Sequence, residues 1–177
     1  MKLHNRTFII TGATSGMGKA IAYEFAKEGA NLIMSGRDQE RGDALVAELL
    51  DKGHSVKFLS GDVGEIEYNK QLVDLAITNF GSLDGVVTNA GMLGLSSVTS
   101  LEPETWDRTF RTNVDAVFFL LKYALPEMIK MPTASVVVNA SIAAYKSFPN
   151  HPAYCASKAA LVALAKQMAV DYGPSVR

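Results

Sequence analysis

The stretch TFIITGATSGMGKAIAYEFAKEGANLIMS, residues 7–35, decides the fold of this chain. It begins with a short apolar run, passes through a turn with three glycines, continues through an amphipathic segment and closes with a second short apolar run. Short apolar runs bounded by turn residues are typical of buried strands, and the longer segment between them is typical of a helix. The stretch therefore predicts a strand–helix–strand unit whose two strands are parallel.

The same alternation continues to the end of the chain. Short apolar runs predict five strands, at 7–11, 31–35, 56–60, 83–89 and 135–141. Longer amphipathic runs predict five helices, at 17–29, 39–52, 65–80, 103–130 and 153–172. The first three helices end at glycines, which readily take the left-handed conformation of a helix end: Gly29, Gly53 and Gly81. The pattern predicts an α/β fold with one parallel sheet covered on both faces.

Length and composition agree with one globular domain. The chain has 177 residues, of which 48% are hydrophobic, enough for a sizeable buried core. Seventeen basic and eighteen acidic residues leave a net charge of −1, so we expect no nucleic-acid partner and no anionic membrane surface as partner. The single cysteine, Cys155, has no partner for a disulfide, and no Cys/His cluster has metal-ligand spacing. We expect a soluble, cytoplasmic protein without a bound metal.

The predicted repeat stops shortly after the fifth helix. Residues 175–177 resemble the start of a sixth strand, and without one the predicted 135–141 strand would be an exposed sheet edge. We therefore expect residues 1–177 to form a single, C-terminally incomplete domain, or one whose open edge a partner covers.

The turn TGATSGMGKA (11–20) carries its three glycines directly into a helix. In dinucleotide-binding proteins, one such glycine permits the sharp turn, a second lets the backbone approach a pyrophosphate, and a third allows close helix packing. The free amides and positive dipole of the helix N-terminus then favour phosphate. The alternative is an ordinary tight turn. We expect nucleotide binding by Gly12, Thr14, Ser15, Gly16, Met17 and Gly18.

The end of the second strand, SGRD (35–38), bears on the choice of dinucleotide. A site for NAD usually presents an acidic residue to the adenosine ribose at this point. Here Gly36 leaves room, and Arg37 offers a planar cation suited to a 2′-phosphate, with Ser35 as an additional donor. The alternative is that Arg37 is a solvated charge and Asp38 only caps the next helix. We expect NADP to be preferred, with NAD as the alternative.

A second group of polar residues begins the fifth helix, at HPAYCASK (151–158). Tyr154 and Lys158 are four positions apart, which places their Cβ atoms about 5–6 Å apart on one helix face. At that separation the ammonium favours the phenolate form of the tyrosine, which prepares it for acid and base work. The alternative is a chance pairing on one face.

In their order along the chain, these motifs resemble those of the short-chain dehydrogenase/reductase family. The resemblance covers the whole chain and rests on TGxxxGxG at 11–18, Asp62–Val63 after the third strand, NAG at 89–91 and YxxxK at 154–158, with Ser141 at the family's spacing before the tyrosine. It implies a Rossmann-like doubly wound sheet. It also implies an enzyme that transfers a hydride between nicotinamide and a small-molecule carbonyl or secondary alcohol substrate.

The resemblance implies a role for each residue of these motifs. Tyr154 would give or take the proton of the reacting oxygen, and Lys158 would assist it and hold the nicotinamide ribose. Ser141 would hydrogen-bond the substrate oxygen, and Asn113 would hold a water that connects Lys158 to solvent. The remaining positions would contact the cofactor, as flanks of the adenine or as the floor of the site: Asp62, Val63, Asn89, Ala90 and Gly91.

Members of the family usually continue with a sixth strand, a loop over the nicotinamide, a substrate-covering helical loop and a seventh strand. An alternative to an active enzyme is therefore a dinucleotide-binding or oligomerising fragment without turnover. In the family, the helices that correspond to 103–130 and 153–172 often pair between subunits, which implies a homodimer or homotetramer.

Overall fold

Five short strands form one parallel sheet in the computed structural model, which describes residues 1–177. The strands are β1 (Thr7–Ile10), β2 (Asn31–Gly36), β3 (Val56–Ser60), β4 (Gly85–Thr88) and β5 (Ser135–Val138). Their order across the sheet is β3-β2-β1-β4-β5. The chain thus proceeds outward from β1 to one edge and then returns to the other side of β1, which opens a crevice at the carboxyl ends of β1 and β4. The predicted parallel sheet is confirmed.

Five α-helices connect the strands, and a sixth follows β5. They are α1 (Gly16–Lys27), α2 (Gln39–Asp51), α3 (Ile66–Phe80), α4 (Pro103–Phe110), α5 (Ala116–Met128) and α6 (Pro152–Tyr172). None of them combines the length and the apolar character needed to span a bilayer. The three glycines predicted to end helices have left-handed φ angles of 84°, 81° and 74° at Gly29, Gly53 and Gly81.

The segment predicted as one helix over 103–130 is divided by a π-helical turn. Residues Arg111–Asp115 form this turn between α4 and α5, and Asn113 lies at its centre. A π-helical turn inserts an extra residue into the helical repeat, and such turns are frequent at functional sites. The predicted helix is confirmed, since the backbone is helical from Pro103 to Met128, but the sequence did not predict the π-helical turn at the residue that the family resemblance assigns to the site.

An apolar core lies on each face of the sheet. One core contains Ile9, Ile33 and Val86 together with residues of α3 and α5. The other contains Phe8 and Ile10 together with residues of α1 and α2. Successive β1 side chains thus point to opposite cores, as the two-residue period of a strand requires. Because both faces are covered, β1 is a continuous apolar run rather than an alternating one.

The last residues of the chain lie beside the outer edge of β5. Val176 pairs with Ala134 in a parallel bridge. Arg177 N donates to the Ala134 carbonyl oxygen at 3.0 Å, and Val136 N donates to the Arg177 carbonyl oxygen at 2.7 Å. Residues 175–177, which the sequence predicts as the start of a sixth strand, therefore extend the sheet by one bridge.

Candidate functional site

A cleft of about 330 Å³ opens at the carboxyl edge of the sheet and is lined by fifteen residues. Most of the residues predicted to contact a dinucleotide line it, namely Gly12, Thr14, Ser15, Gly16, Met17, Arg37, Asp62, Val63, Asn89, Ala90 and Gly91, and so does Gly36. The cleft also includes Gly61, Met92 and Thr112, which the sequence did not point to. Gly61 directly precedes Asp62, and Met92 directly follows Gly91. Thr112 precedes Asn113 in the π-helical turn.

The glycine turn connects β1 to α1 at one end of the cleft. Helix α1 begins at Gly16, and the side chain of its N-cap residue, Ser15, caps no amide. The first turn of α1 therefore keeps free amides and a positive dipole for an anion. A Cβ at Gly18 would lie 2.1 Å from the Gly12 carbonyl oxygen, so only glycine permits this close packing of helix on turn. Gly18 does not line the cleft but packs against the Gly12 carbonyl group of the turn.

Arg37 lies at the end of β2, exposed and without an ion-pair partner. The neighbouring Asp38 accepts from Arg41 N and pairs with the Arg41 guanidinium at 3.0 Å. Asp38 thus caps α2, as the alternative interpretation held, yet this leaves Arg37 on the cleft with an uncompensated charge. An exposed guanidinium beside a cleft suits a phosphate.

Ser35 takes no part in the cleft, which corrects the prediction that it is an additional donor to a 2′-phosphate. It is fully buried, and its hydroxyl lies 2.9 Å from the Tyr68 hydroxyl. Tyr68 also donates to the Leu59 carbonyl oxygen at 2.7 Å. Ser35 therefore fastens β2 to α3 within the fold, and burial raises the pKa of the Tyr68 phenol that it contacts.

A chain of hydrogen bonds crosses the ends of β1, β4 and β5. Asn89 Nδ2 donates to the carbonyl oxygens of Thr11 at 3.1 Å and Gly12 at 3.3 Å. Asn139 Nδ2 donates to Asn89 Oδ1 at 3.0 Å, and Lys158 Nζ donates to the Asn139 carbonyl oxygen at 2.7 Å. We call this series the polar chain. It joins the glycine turn to α6 through Asn139, a residue not predicted from the sequence; its one signal is a carboxamide directly after an apolar strand.

Lys158 and Tyr154 share one face of α6, as predicted. Lys158 is almost completely buried, and this burial lowers the pKa of its ammonium. Its Nζ atom lies 5.7 Å from the centre of the Tyr154 ring and forms no hydrogen bond with the phenol. The Tyr154 side chain is half-buried, and its hydroxyl has no hydrogen-bond partner in the protein. The phenol is therefore free to bond an external group.

Asn113 is fully buried and connects the segment after β4 to α6. Its Oδ1 accepts from Met92 N at 2.8 Å, and its Nδ2 donates to the Met92 carbonyl oxygen at 3.0 Å and to Ser157 Oγ at 2.9 Å. Both amide hydrogens are therefore used within the protein. The water assigned to Asn113 by the family resemblance stays a prediction.

Ser141 begins a short 3-10 turn, Ile142–Ala144, that packs against α6. Its Oγ accepts from Ala143 N at 3.1 Å. No hydrogen bond joins Ser141 to Tyr154, although their two elements are in contact. Because the hydroxyl of Ser141 is used here only as an acceptor, its hydrogen remains available to a ligand oxygen.

Comparison with known sequences identifies relatives over most of the chain. A family model described as short chain dehydrogenase matches residues 6–177. A 3beta-hydroxysteroid dehydrogenase of Mediterraneibacter gnavus is 37% identical over 173 residues, which are 97% of this chain and 62% of that protein. Dehydrogenase/reductase SDR family member 4 of Sus scrofa is 36% identical over 173 residues, with the same two shares. The chain thus spans 62% of the length of these curated relatives.

Solved structures match the fold as a whole. A short-chain type dehydrogenase/reductase from Mycobacterium ulcerans has a TM-score of 0.94 and 30% identity, with 100% of this chain and 66% of that chain covered. An NAD+-bound xylitol dehydrogenase also has a TM-score of 0.94 and 30% identity, with 100% of this chain and 69% of that chain covered. The sequence motifs, the strand order and these matches agree: the chain belongs to the short-chain dehydrogenase/reductase family.

Proposed function

We propose that this chain is the dinucleotide-binding and catalytic part of an NADP(H)-dependent oxidoreductase that acts on carbonyl compounds or secondary alcohols. Membership of the family supports the general class, hydride transfer with a nicotinamide cofactor. The observation that carries the proposal is the polar chain, because it connects the glycine turn of the cleft to Lys158, which lies beside Tyr154 and adjoins the cleft at Gly91.

Three parts of the cleft support the binding of a dinucleotide. The uncapped first turn of α1 suits the diphosphate, and the unpaired Arg37 suits a 2′-phosphate. At the other end, Gly91 contributes a wall without a side chain. A Cβ there would lie 3.3 Å from Asn113 Oδ1 and 3.7 Å from Lys158 Nζ, so this wall adjoins the catalytic lysine. We propose that the nicotinamide ribose binds at this end.

The proposed chemistry divides between the cofactor and three side chains. A bound nicotinamide supplies or accepts the hydride. Tyr154, whose hydroxyl has no protein partner, donates a proton to the carbonyl oxygen in reduction and takes it back in oxidation. Lys158 stabilises the phenolate through its charge, 5.7 Å from the ring centre, in surroundings with little water. Ser141 donates its free hydrogen to the substrate oxygen.

The preference for NADP rests on Arg37 alone. Asp38, the acidic residue that directly follows Arg37, is engaged with Arg41 and does not line the cleft, so β2 ends without the carboxylate that usually accepts the ribose hydroxyls of NAD. NAD remains the alternative cofactor, because one of the matching structures is an NAD+-bound xylitol dehydrogenase. Side-by-side fluorescence titrations with NADPH and NADH separate the two, and equal or tighter binding of NADH would refute the preference.

A second candidate is dinucleotide binding without turnover. It is favoured by the exposure of Ile142 and Tyr145 beside Ser141, since catalytic sites of this kind usually exclude water. The deciding experiment mixes the chain with NADPH and a panel of ketones and follows the loss of nicotinamide absorbance, with NADPH binding measured separately. Oxidation of NADPH that requires Tyr154 supports the enzyme. Binding without oxidation of NADPH by any ketone supports the second candidate.

We also propose that residues 1–177 act as one domain that assembles into a homodimer or homotetramer in the cytoplasm. The support for assembly is two exposed apolar side chains on helices that the family uses for pairing, Trp106 on α4 and Phe118 on α5. Sedimentation velocity would measure the state, and Phe118→Ser should shift it toward the monomer. A monomer at micromolar concentration would contradict the assembly.

A further inference from the structure

We propose that the substrate of this site is a bulky, apolar ketone or the matching secondary alcohol, rather than a small polyhydroxylated one. The inference rests on the proposed function, because it takes Tyr154 as the point where the reacting oxygen binds. It is carried by two loops that border this tyrosine. The β4 loop comprises residues 92–101, and the β5 loop comprises residues 142–151.

The β5 loop approaches Tyr154 through a row of rings. The centres of the Phe148 and His151 rings are 5.9 Å apart, and those of His151 and Tyr154 are 6.2 Å apart. At its other end this loop starts with Ile142, which directly follows Ser141. Both ends of the β5 loop are thus adjacent to residues that would contact the reacting oxygen.

The β4 loop lies against the start of α6. A Cβ at Gly94 would be 3.6 Å from the Cβ of Ala153, the residue before Tyr154. Ser96 N donates to the Asn150 carbonyl oxygen at 3.0 Å, which fastens the β4 loop to the β5 loop. The two loops therefore form one continuous border around the tyrosine.

This border exposes large apolar side chains. They are Leu93, Leu95 and Val98 of the β4 loop and Ile142, Tyr145 and Phe148 of the β5 loop. Exposure of such side chains to water costs free energy. A cluster of them beside a binding cleft is typical of a surface that a ligand covers. A ligand with a large apolar body gains affinity by covering them, whereas a polyol does not.

Charged groups are scarce on the same border. The β4 loop contains no charged residue, and the β5 loop contains only Lys146 and the ring of His151. A recess of about 470 Å³ between the loops is lined by three serines together with Asn150 and His151, and two of these serines bond each other. Ser97 Oγ donates to Ser100 Oγ at 3.1 Å and lies 3.2 Å from Thr99 Oγ1. A polyol would have to displace these bonds, which lowers its net gain.

The test measures binding rather than turnover. The probes are 1-tetralone, a bicyclic apolar ketone, and D-xylulose, a polyhydroxy ketone, each titrated by ligand-observed NMR with and without saturating NADP+. We expect 1-tetralone to bind at least about tenfold more tightly than D-xylulose, since its rings cover apolar surface. Tighter or equal binding of D-xylulose, or binding of neither ketone, would overturn the proposal.

Two matched pairs of variants locate the binding. Leu95 is 57% exposed and Leu50, on α2, is 52% exposed; Val98 is 80% exposed and Val170, on α6, is 78% exposed. We expect Leu95→Ser and Val98→Ser to weaken 1-tetralone binding at least about threefold, and Leu50→Ser and Val170→Ser to leave it unchanged. An equal effect of the control variants would contradict the assignment to the border of Tyr154.

NADP+ binding by the same variants separates this inference from the proposed function. All four variants should bind NADP+ as the natural chain does, because none of the four residues lines the cleft. Failure of the natural chain to bind NADP+ would count against the proposed function. The titrations without NADP+ would still decide whether an apolar ketone binds through Leu95 and Val98.

Discussion

Lys158 Nζ donates a hydrogen bond to the main-chain carbonyl oxygen of Asn139 at 2.7 Å. No carboxylate neutralises this ammonium, and its burial lowers its pKa. The lysine is therefore held in place by the backbone at the end of β5 and not by Tyr154, the residue that it is proposed to assist. Its position depends on the polar chain, and its charge acts on the phenol across the 5.7 Å to the ring centre.

Tyr154→Phe should lower turnover by a factor of about 10² or more, the usual scale for the loss of a general acid or base. The ring and its packing remain, and the deleted hydroxyl has no protein partner, so stability and NADPH affinity should change little. Steady-state rates and NADPH titrations of the variant check both statements. Near-normal reduction by this variant would show that another group supplies the proton.

Lys158→Met should lower turnover and weaken NADPH binding at least about tenfold, because the side chain serves both the phenol and the ribose. It should also stabilise the fold at pH 7, since it removes a buried, unneutralised charge, and the loss of the hydrogen bond to the Asn139 carbonyl oxygen reduces this gain.

The pH dependence of that stabilisation has a definite sign. The pKa of Lys158 is lower in the folded chain than in the unfolded chain, so at neutral pH the unfolded chain binds this proton more tightly and the ammonium destabilises the fold. As the pH rises from the pKa of Lys158 in the folded chain toward its pKa in the unfolded chain, the free energy of unfolding of the natural chain increases. The difference in stability between the variant and the natural chain therefore becomes smaller. Urea denaturation at pH 7 and pH 9.5 measures this, and a variant less stable at pH 7 would contradict it.

Arg37→Asp should shift the cofactor preference from NADPH toward NADH. A carboxylate repels a 2′-phosphate and accepts hydrogen bonds from ribose hydroxyls, so we expect NADPH affinity to fall at least about tenfold. Arg41→Gln is the control, because this nearby guanidinium is paired with Asp38 and does not line the cleft. A similar loss of NADPH affinity in the control would show that the effect comes from the loss of any nearby positive charge and not from a contact made by Arg37.

Ser35→Ala should leave NADPH affinity within about twofold of the natural chain, because the hydroxyl is buried against Tyr68 and does not reach the cleft. The free energy of unfolding should fall by about 1 kcal/mol, the usual contribution of one hydrogen bond. Parallel NADPH titration and denaturant unfolding check the two effects. A loss of NADPH affinity without a decrease in the free energy of unfolding would show that Ser35 does contact the cofactor.

Asn139→Ala should weaken NADPH binding and lower the free energy of unfolding by about 1 kcal/mol, because it removes the half-buried hydrogen bond to Asn89 Oδ1. The matched control is Asn79→Ala, which removes an exposed carboxamide that donates to the Leu75 carbonyl oxygen on α3. We expect the control to retain full NADPH affinity. Unchanged affinity in Asn139→Ala would show that the polar chain does not position the cofactor site.

The strands, the glycine turn and most of the cleft residues are predictable from the sequence, because apolar runs and glycines carry local signals. Whether the Ser35 side chain faces the cleft or the core is not predictable from the sequence. Strand β2 is buried on both faces, so its residues show no alternation that reveals which face each one occupies. The π-helical turn at Asn113 is not predictable either, because one inserted residue scarcely alters the helical pattern. Asn139 becomes significant only once β4 and β5 are known to be neighbours.

The polar chain separates two kinds of change that this protein could undergo in evolution. Its members lie at the strand ends and on α6, and none belongs to the β4 loop or the β5 loop. Replacement of residues within those loops therefore alters the border of Tyr154 without moving the glycine turn relative to Lys158. Under the proposed function, mutation of the loops would change which substrate binds, while the distance from the glycine turn to Lys158 would stay the same.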